Sequence, residues 1–301
     1  MIVENEVNMP QERQTNSGKK RRAFLKAAGA SMGAIALPGV ASAASENEEE
    51  EEIEAASGGE ELSLGGENAM SPEELEKFAK DMSDKYEEVQ VQDVAPHVTD
   101  GITPFGTTPS LTNIGTVGAW NSDYNIKTPY GLTYTKVENA ATLYRSNESD
   151  GNGKWHYFVW LWSKAEPQSK PTGGYWPYTW IRSDFSATGG AYVDRFSPSN
   201  RVDKHEKPIS IGVSYGLPGN GPSVGISGST EISEGYIVAD DVDQGNNGEV
   251  GFKFRASGSF CRDVNTLNGT IQMTSDEKYE QYSSIPSNAF SWSVQGHTNG
   301  L

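Results

Sequence analysis

The chain of 301 residues carries four histidines, His97, His156, His205 and His297, and a single cysteine, Cys261. No histidine stands at metal-ligand spacing from another His or from the Cys, and His156 sits inside an aromatic run that suits a core position. The densest set of hard oxygen donors is Asp240-Asp241-Val242-Asp243-Gln244-Gly245-Asn246-Asn247-Gly248-Glu249. Calcium takes about six to eight such oxygens, and Asp240, Asp241, Asp243, Asn247 and Glu249 are close enough in sequence to converge on one ion. The spacing departs from an EF-hand loop because Gly245 holds the third Asp/Asn position. A solvated, carboxylate-rich hairpin loop accounts for the same residues. Calcium is the one cofactor the sequence raises.

Gly212-Val213-Ser214-Tyr215-Gly216 spells the Gly-x-Ser-x-Gly of a hydrolase nucleophile elbow. That chemistry needs a strand, a strained turn and then a helix, so that the serine hydroxyl is lifted clear of the sheet. Here the motif lies within strict alternation and is followed by Leu217-Pro218-Gly219, which reads as a turn without a helix. Tyr175, Trp176, Tyr178 and Trp180 lie in a Gly/Pro-punctuated stretch; such rings stack on the apolar faces of sugars or fill a core while keeping a polar end satisfied. Asn147-Glu148-Ser149 and Asn268-Gly269-Thr270 match the glycosylation acceptor pattern at Asn147 and Asn268.

The most patterned region is 209–230. Ile209, Ile211, Val213, Tyr215, Val224 and Ile226 take one parity, and the other is almost wholly Ser and Gly. Two arms of about eight residues flank a turn at 217–222. Each arm is slightly short of the ~9–11 residues of a tilted membrane strand. A sandwich hairpin with one wet face has the same pattern.

These residues need a scaffold, and the sequence from 112 to 301 describes a β domain. Trp155 to Trp162 is apolar on both parities, as expected of a central strand covered on both faces. Tyr130–Val137 and Ala141–Ser146 read as strands before it. Val250, Phe252, Phe254 and Ala256 share one buried parity. Asn268-Gly269 suggests a two-residue hairpin turn, and Phe290–Val294 a closing strand. The expected fold is all-β, an antiparallel β-sandwich.

Ahead of it, 44–70 is rich in Glu, Ser and Gly and reads as a disordered acidic linker. Residues 71–92 predict one amphipathic helix. Ser71 is the N-cap, Pro72 the first helical residue and Glu74 the capping-box partner, while Leu75, Phe78, Ala79, Met82, Tyr86 and Val89 share a face. Residues 93–111, broken by Pro96, Pro104 and Pro109, form a Pro/Gly-rich linker.

The first 43 residues carry Arg21-Arg22, then Phe24-Leu25-Lys26, a soft apolar run diluted by glycine, and Ala41-Ser42-Ala43. This resembles the twin-arginine translocation signal, with Lys20 in place of the usual hydroxyl residue and cleavage expected after Ala43. The resemblance implies a chain that folds before it crosses the membrane, with the twin-arginine translocase as its partner and a secreted, extracellular destination. Beyond residue 43 there are 18 Lys/Arg against 38 Asp/Glu, a charge near −20. That excess argues against nucleic acid and anionic lipid as partners. It also resembles the surfaces of haloarchaeal secreted proteins, which molar salt screens. With one cysteine no intrachain disulfide can form, so stability must come from a core.

Three functions fit. One is a secreted, non-catalytic sandwich that binds a surface polysaccharide or protein. The second is an antagonistic protein that inserts the 209–230 hairpin into a membrane; its layout of export signal, acidic segment and compact domain resembles halocins and pore-forming toxins. The third is a hydrolase with a dispersed site.

Overall fold

The computed structural model describes residues 54–96, 114–127, 133–147, 149–167, 180–203, 209–216, 223–230, 232, 235–255, 265–280 and 284–299, all within the compact unit Glu51–Leu301. In chain order the elements are β1 (Glu54–Leu64), α1 (Pro72–Lys85), α2 (Val91–Val94), β2 (Ile114–Lys127), β3 (Thr133–Ser146) and β4 (Trp155–Pro167). They continue with β5 (Trp180–Ser186), β6 (Tyr192–Ser197), β7 (Val202–Asp203), β8 (Ile209–Gly216), β9 (Ser223–Thr230) and β10 (Tyr236–Asp243). The chain closes with β11 (Gly245–Asn246), β12 (Glu249–Arg255), β13 (Asn265–Ser275) and β14 (Phe290–Asn299).

Twelve of these strands form one antiparallel sheet in the order β11-β6-β13-β4-β3-β2-β1-β14-β5-β12-β10-β7. The sheet curls so that its two halves face each other. Phe252 on β12 lies against Gly269 on β13, where a Cβ would collide with the ring, and meets Phe196 on β6 at 6.5 Å. The apolar residues between the halves form the first core, including Val159 and Leu161 of β4 opposite Phe252, Phe254 and Trp292. The sandwich expected from the sequence is thus a single sheet folded on itself.

The central strand β4 is where its sequence predicts. Tyr157, Val159 and Leu161 point into the first core, and Phe158, Trp160 and Trp162 into a second one on the outer face. Its neighbours are β13 and β3. The helix also forms, with Ser71 Oγ accepting from Glu74 N–H at 3.2 Å and Glu74 Oε2 accepting from Ser71 N–H at 2.7 Å. It ends at Lys85 rather than 92, because Tyr86 turns into extended backbone and reaches into the domain.

Three expectations need correcting. Within the stretch expected to be a disordered linker, Glu54–Leu64 is a full strand, inserted between β2 and β14. Its glycines, suggestive of flexibility, instead let neighbours approach: a Cβ on Gly58 would overlap the Asn125 carbonyl. Pairing along both edges supplies what the weak propensity of this acidic segment does not. Second, Asn268-Gly269 is no turn; both lie in mid-β13, and Gly269 is there to seat Phe252. Third, residues 133–146 form one strand, and β2, unrecognised in the sequence, pairs with it across a bulge between Thr116 and Gly118. That extra residue breaks the period-two pattern that marks a strand.

Candidate functional site

β8 and β9 stand apart from the large sheet as a two-stranded hairpin, paired from Ile209↔Thr230 to Gly216↔Ser223. Ile211, Val213 and Ile226 are buried, whereas Ser210, Gly212, Ser214 and Ser227 are exposed. The alternation seen in the sequence is therefore real in space: one face is dry and the other is made of hydroxyls and glycine. The side chains of Ile209, Tyr215 and Val224 lie outside the described residues.

The dry face lies on the outside of the sheet. Ile211, Val213 and Ile226 join Trp160, Phe158 and Tyr144 in the second core, which α1 and α2 complete with Leu75, Ala79, Met82 and Val94. Helices and hairpin thus share one apolar floor. Trp160 links them: its indole lies against Gly228 of β9, and its Nε1 donates to the Asp93 carbonyl at the end of α2 at 2.8 Å. Along β8, Arg195 Nη1 donates to Ser214 O at 3.2 Å and Gly212 N–H donates to Ser197 Oγ at 3.4 Å. These bonds tie the hairpin to β6 by side chains rather than by a backbone ladder.

An ion cluster fixes the end of α1. Glu138 Oε2 accepts from Tyr86 OH at 2.5 Å and from Lys85 Nζ at 2.9 Å, and its Oε1 accepts from Lys136 at 3.0 Å. Glu166 also pairs with Lys85, at 3.2 Å. Beside them Lys164, 1% exposed, pairs with Glu88 at 2.7 Å. Burial works against the Glu138 charge, yet the bonds from Tyr86, Lys85 and Lys136 prevail and hold its carboxyl below the ordinary carboxylate range. Tyr86 is pushed well up by burial and by the adjacent carboxylate, so it stays a donor. Helical spacing places Tyr86 on an apolar face and marks none of its charged partners. The legible signal is Lys164, a cation on the parity of Trp160 and Trp162 in a strand that is buried from His156 to Ala165.

The acidic loop is organised around an arginine. Arg182 Nε donates to Asp184 at 2.6 and 2.7 Å, while its Nη1 and Nη2 reach Asp240 at 3.2 Å and Asp241 at 2.8 Å. Lys253 lies 3.8 Å from Asp240. Burial pushes the Asp184 carboxyl up to about 6, against the pull of Arg182. Elsewhere in the acidic loop, Asp243 pairs with Glu249 in the ladder, and Asn247 Oδ1 accepts from Gly190 N–H at 2.8 Å. Among the described residues no group of three His, Cys, Asp or Glu side chains is placed to hold a metal ion.

The remaining sequence candidates are dispersed. Tyr175, Trp176 and Tyr178 lie outside the described residues, as do Arg21, Arg22, Phe24, Leu25, Lys26 and Ala43. Trp180 is half-buried, with Lys253 Nζ 4.7 Å from its ring centre and the His297 ring at 4.2 Å. Asn147 is exposed. Asn268 is fully buried in β13, which removes it as a glycosylation acceptor on the folded domain. The Gly-x-Ser-x-Gly motif falls wholly within β8, with Ser214 in regular strand pairing opposite Gly225. His156 is buried, its Nε2 3.7 Å from Asp150, and burial holds its pKa down. No described helix is long and apolar enough to cross a membrane, which leaves strands unaddressed.

No family model and no curated protein matches this chain. A solved structure described as "Pore forming protein" is similar over 54% of this chain and 75% of its own, at 12% identity and a TM-score of 0.30. At that score the likeness carries no weight for fold or activity.

Proposed function

We propose that this protein is exported by the twin-arginine route and acts on membranes, with the β8–β9 hairpin as the inserting element. One observation carries the reading. The hairpin is a separate two-stranded sheet whose buried side is aliphatic and whose exposed side is Ser and Gly, and it is held by side chains instead of by ladder hydrogen bonds. A segment that must leave an aqueous body and enter lipid needs both properties. Its apolar face exchanges one dry environment for another, and few backbone bonds are lost in departure.

Each arm has 8 residues, and one further residue brings it to the ~9–11 that a tilted membrane strand requires. Two strands cannot close a barrel, and small closed barrels have about eight, so several copies would each contribute a hairpin. The Ser/Gly face would then line water without charge.

Conductance across planar bilayers at high salt tests this reading. Wild-type protein should open ohmic channels. Ser214→Asp and Ser227→Asp change only the exposed face and should shift the reversal potential toward cation selectivity. Absence of conductance, or reversal potentials that ignore both substitutions, would remove the hairpin from a membrane pathway.

A further inference from the structure

We propose that α1 and α2 form an autoinhibitory clasp, in which the ion cluster on Glu138 keeps α2 seated on Trp160 and thereby keeps β9 stowed. This inference rests on the hairpin being the membrane-active element.

Among the described residues, polar contacts fasten the helical segment to the body at its entrance, its middle and its exit. At its entrance Met70 N–H donates to Ala119 O at 2.7 Å. At its exit the Asp93 carbonyl accepts from Trp160. Between them, Lys85 and Tyr86 close on Glu138, and Glu88 closes on Lys164. The entrance bond lies close to β1, which is paired along its length with β14. The exit joins a neutral hydrogen bond to the burial of Val94 and Ala95 in the second core. The middle fastening adds the charged partners that set the angle at which α2 arrives over Trp160. It is made of charge-assisted bonds in a half-buried setting, where such bonds are strongest.

Trp160 transmits the position of α2 to the hairpin. Its indole is wedged between the Asp93 carbonyl and Gly228, and α2 and β9 touch directly. The apolar part of the clasp is Leu75, Ala79 and Met82 of α1 with Tyr86, Val89, Val94 and Ala95 after it, all buried in the second core. Once Glu138 is uncoupled, α1 can lift about its anchored entrance, Val94 leaves the second core, and Ile226 loses part of its cover. The hairpin is then retained by its side-chain bonds to β6 and by what remains of the floor.

The test uses the full chain with Cys261→Ser and a single reporter, Ile226→Cys, whose thiol is protected while the hairpin is seated. Glu138→Gln and Tyr86→Phe are each added, and thiol labelling is followed in solution without lipid. A parallel reporter, Val294→Cys in the first core on β14, registers global opening. The clasp predicts that both substitutions speed labelling at 226 by roughly ten- to a hundredfold, the range expected from lost bonds to a charged group, while 294 stays protected. Unchanged labelling at 226, or equal acceleration at both reporters, overturns the clasp whether or not the wild type conducts. Selective acceleration at 226 with no conductance from any form upholds the clasp and sinks the membrane reading instead.

Discussion

Trp160 and Gly228 are in such close contact that no other residue fits at 228: a Cβ there would enter the indole ring. The contact joins the central strand of the sheet to the second arm of the hairpin. The same indole donates to the Asp93 carbonyl of α2.

Gly228→Ala should therefore lift β9 while leaving the twelve-stranded sheet intact. Overpacking of this kind costs ~1–3 kcal/mol. Limited proteolysis should show earlier cleavage near 217–222, and conductance should begin at lower protein concentration. Trp160→Phe in the same chain shrinks the ring and should recover part of the loss, a coupling that a double-mutant cycle would measure.

Arg182 is surrounded by Asp184, Asp240 and Asp241, with Asp184 buried. Arg182→Gln leaves these carboxylates facing one another. Breaking a buried pair by deleting one partner costs ~3–5 kcal/mol, so the denaturant midpoint should fall markedly. Molar salt should restore some of it by screening the two more exposed aspartates.

Stability should respond to acid with two opposite signs. Burial raises the Asp184 carboxyl to about 6, above its unfolded value of about 4. The folded state thus binds this proton more tightly, and stability rises as pH falls between those values. Glu138 is held below its ordinary range. Its contribution is complete above about pH 4.3, its unfolded value, and disappears as pH falls through its folded one. Thermal midpoints across pH 3–7 should pass through a maximum near ~5, between the unfolded values and the raised one. Asp184→Asn should flatten the upper limb, and Glu138→Gln the lower. A monotonic wild-type profile would contradict both assignments.

Gly269 offers a check on the first core. Gly269→Ala drives a methyl into Phe252 and should destabilise the domain by ~1–3 kcal/mol. A Phe252→Leu partner substitution should reduce that cost. A hairpin turn at this position would instead tolerate alanine poorly through backbone strain, which no change at 252 could relieve.

These particulars show which features a sequence can display. The two-sided apolar run of β4, the capping box of α1 and the alternation of β8–β9 are each decided by contiguous residues, and each appears where its pattern lies. β1 was hidden because its strand character comes from neighbours more than 200 residues away, on β14. Gly269 looks like a turn residue in the sequence because glycine serves a turn and a close approach equally well. The Glu138 cluster unites α1, β3 and β4, and no local spacing announces such a meeting. Of the proposed site, the hairpin's two faces could be read in advance; the clasp that covers it could not.

The most direct test of the membrane reading is a cysteine scan through 210–214 and 225–228, in a Cys261→Ser background, with an environment-sensitive label and a quencher confined to the lipid. After addition to liposomes, labels at 211, 213 and 226 should be quenched, and labels at 210, 214 and 227 should stay in water, giving a period of two. Uniform quenching, or none at any position, would show that the hairpin does not enter the bilayer as a strand pair.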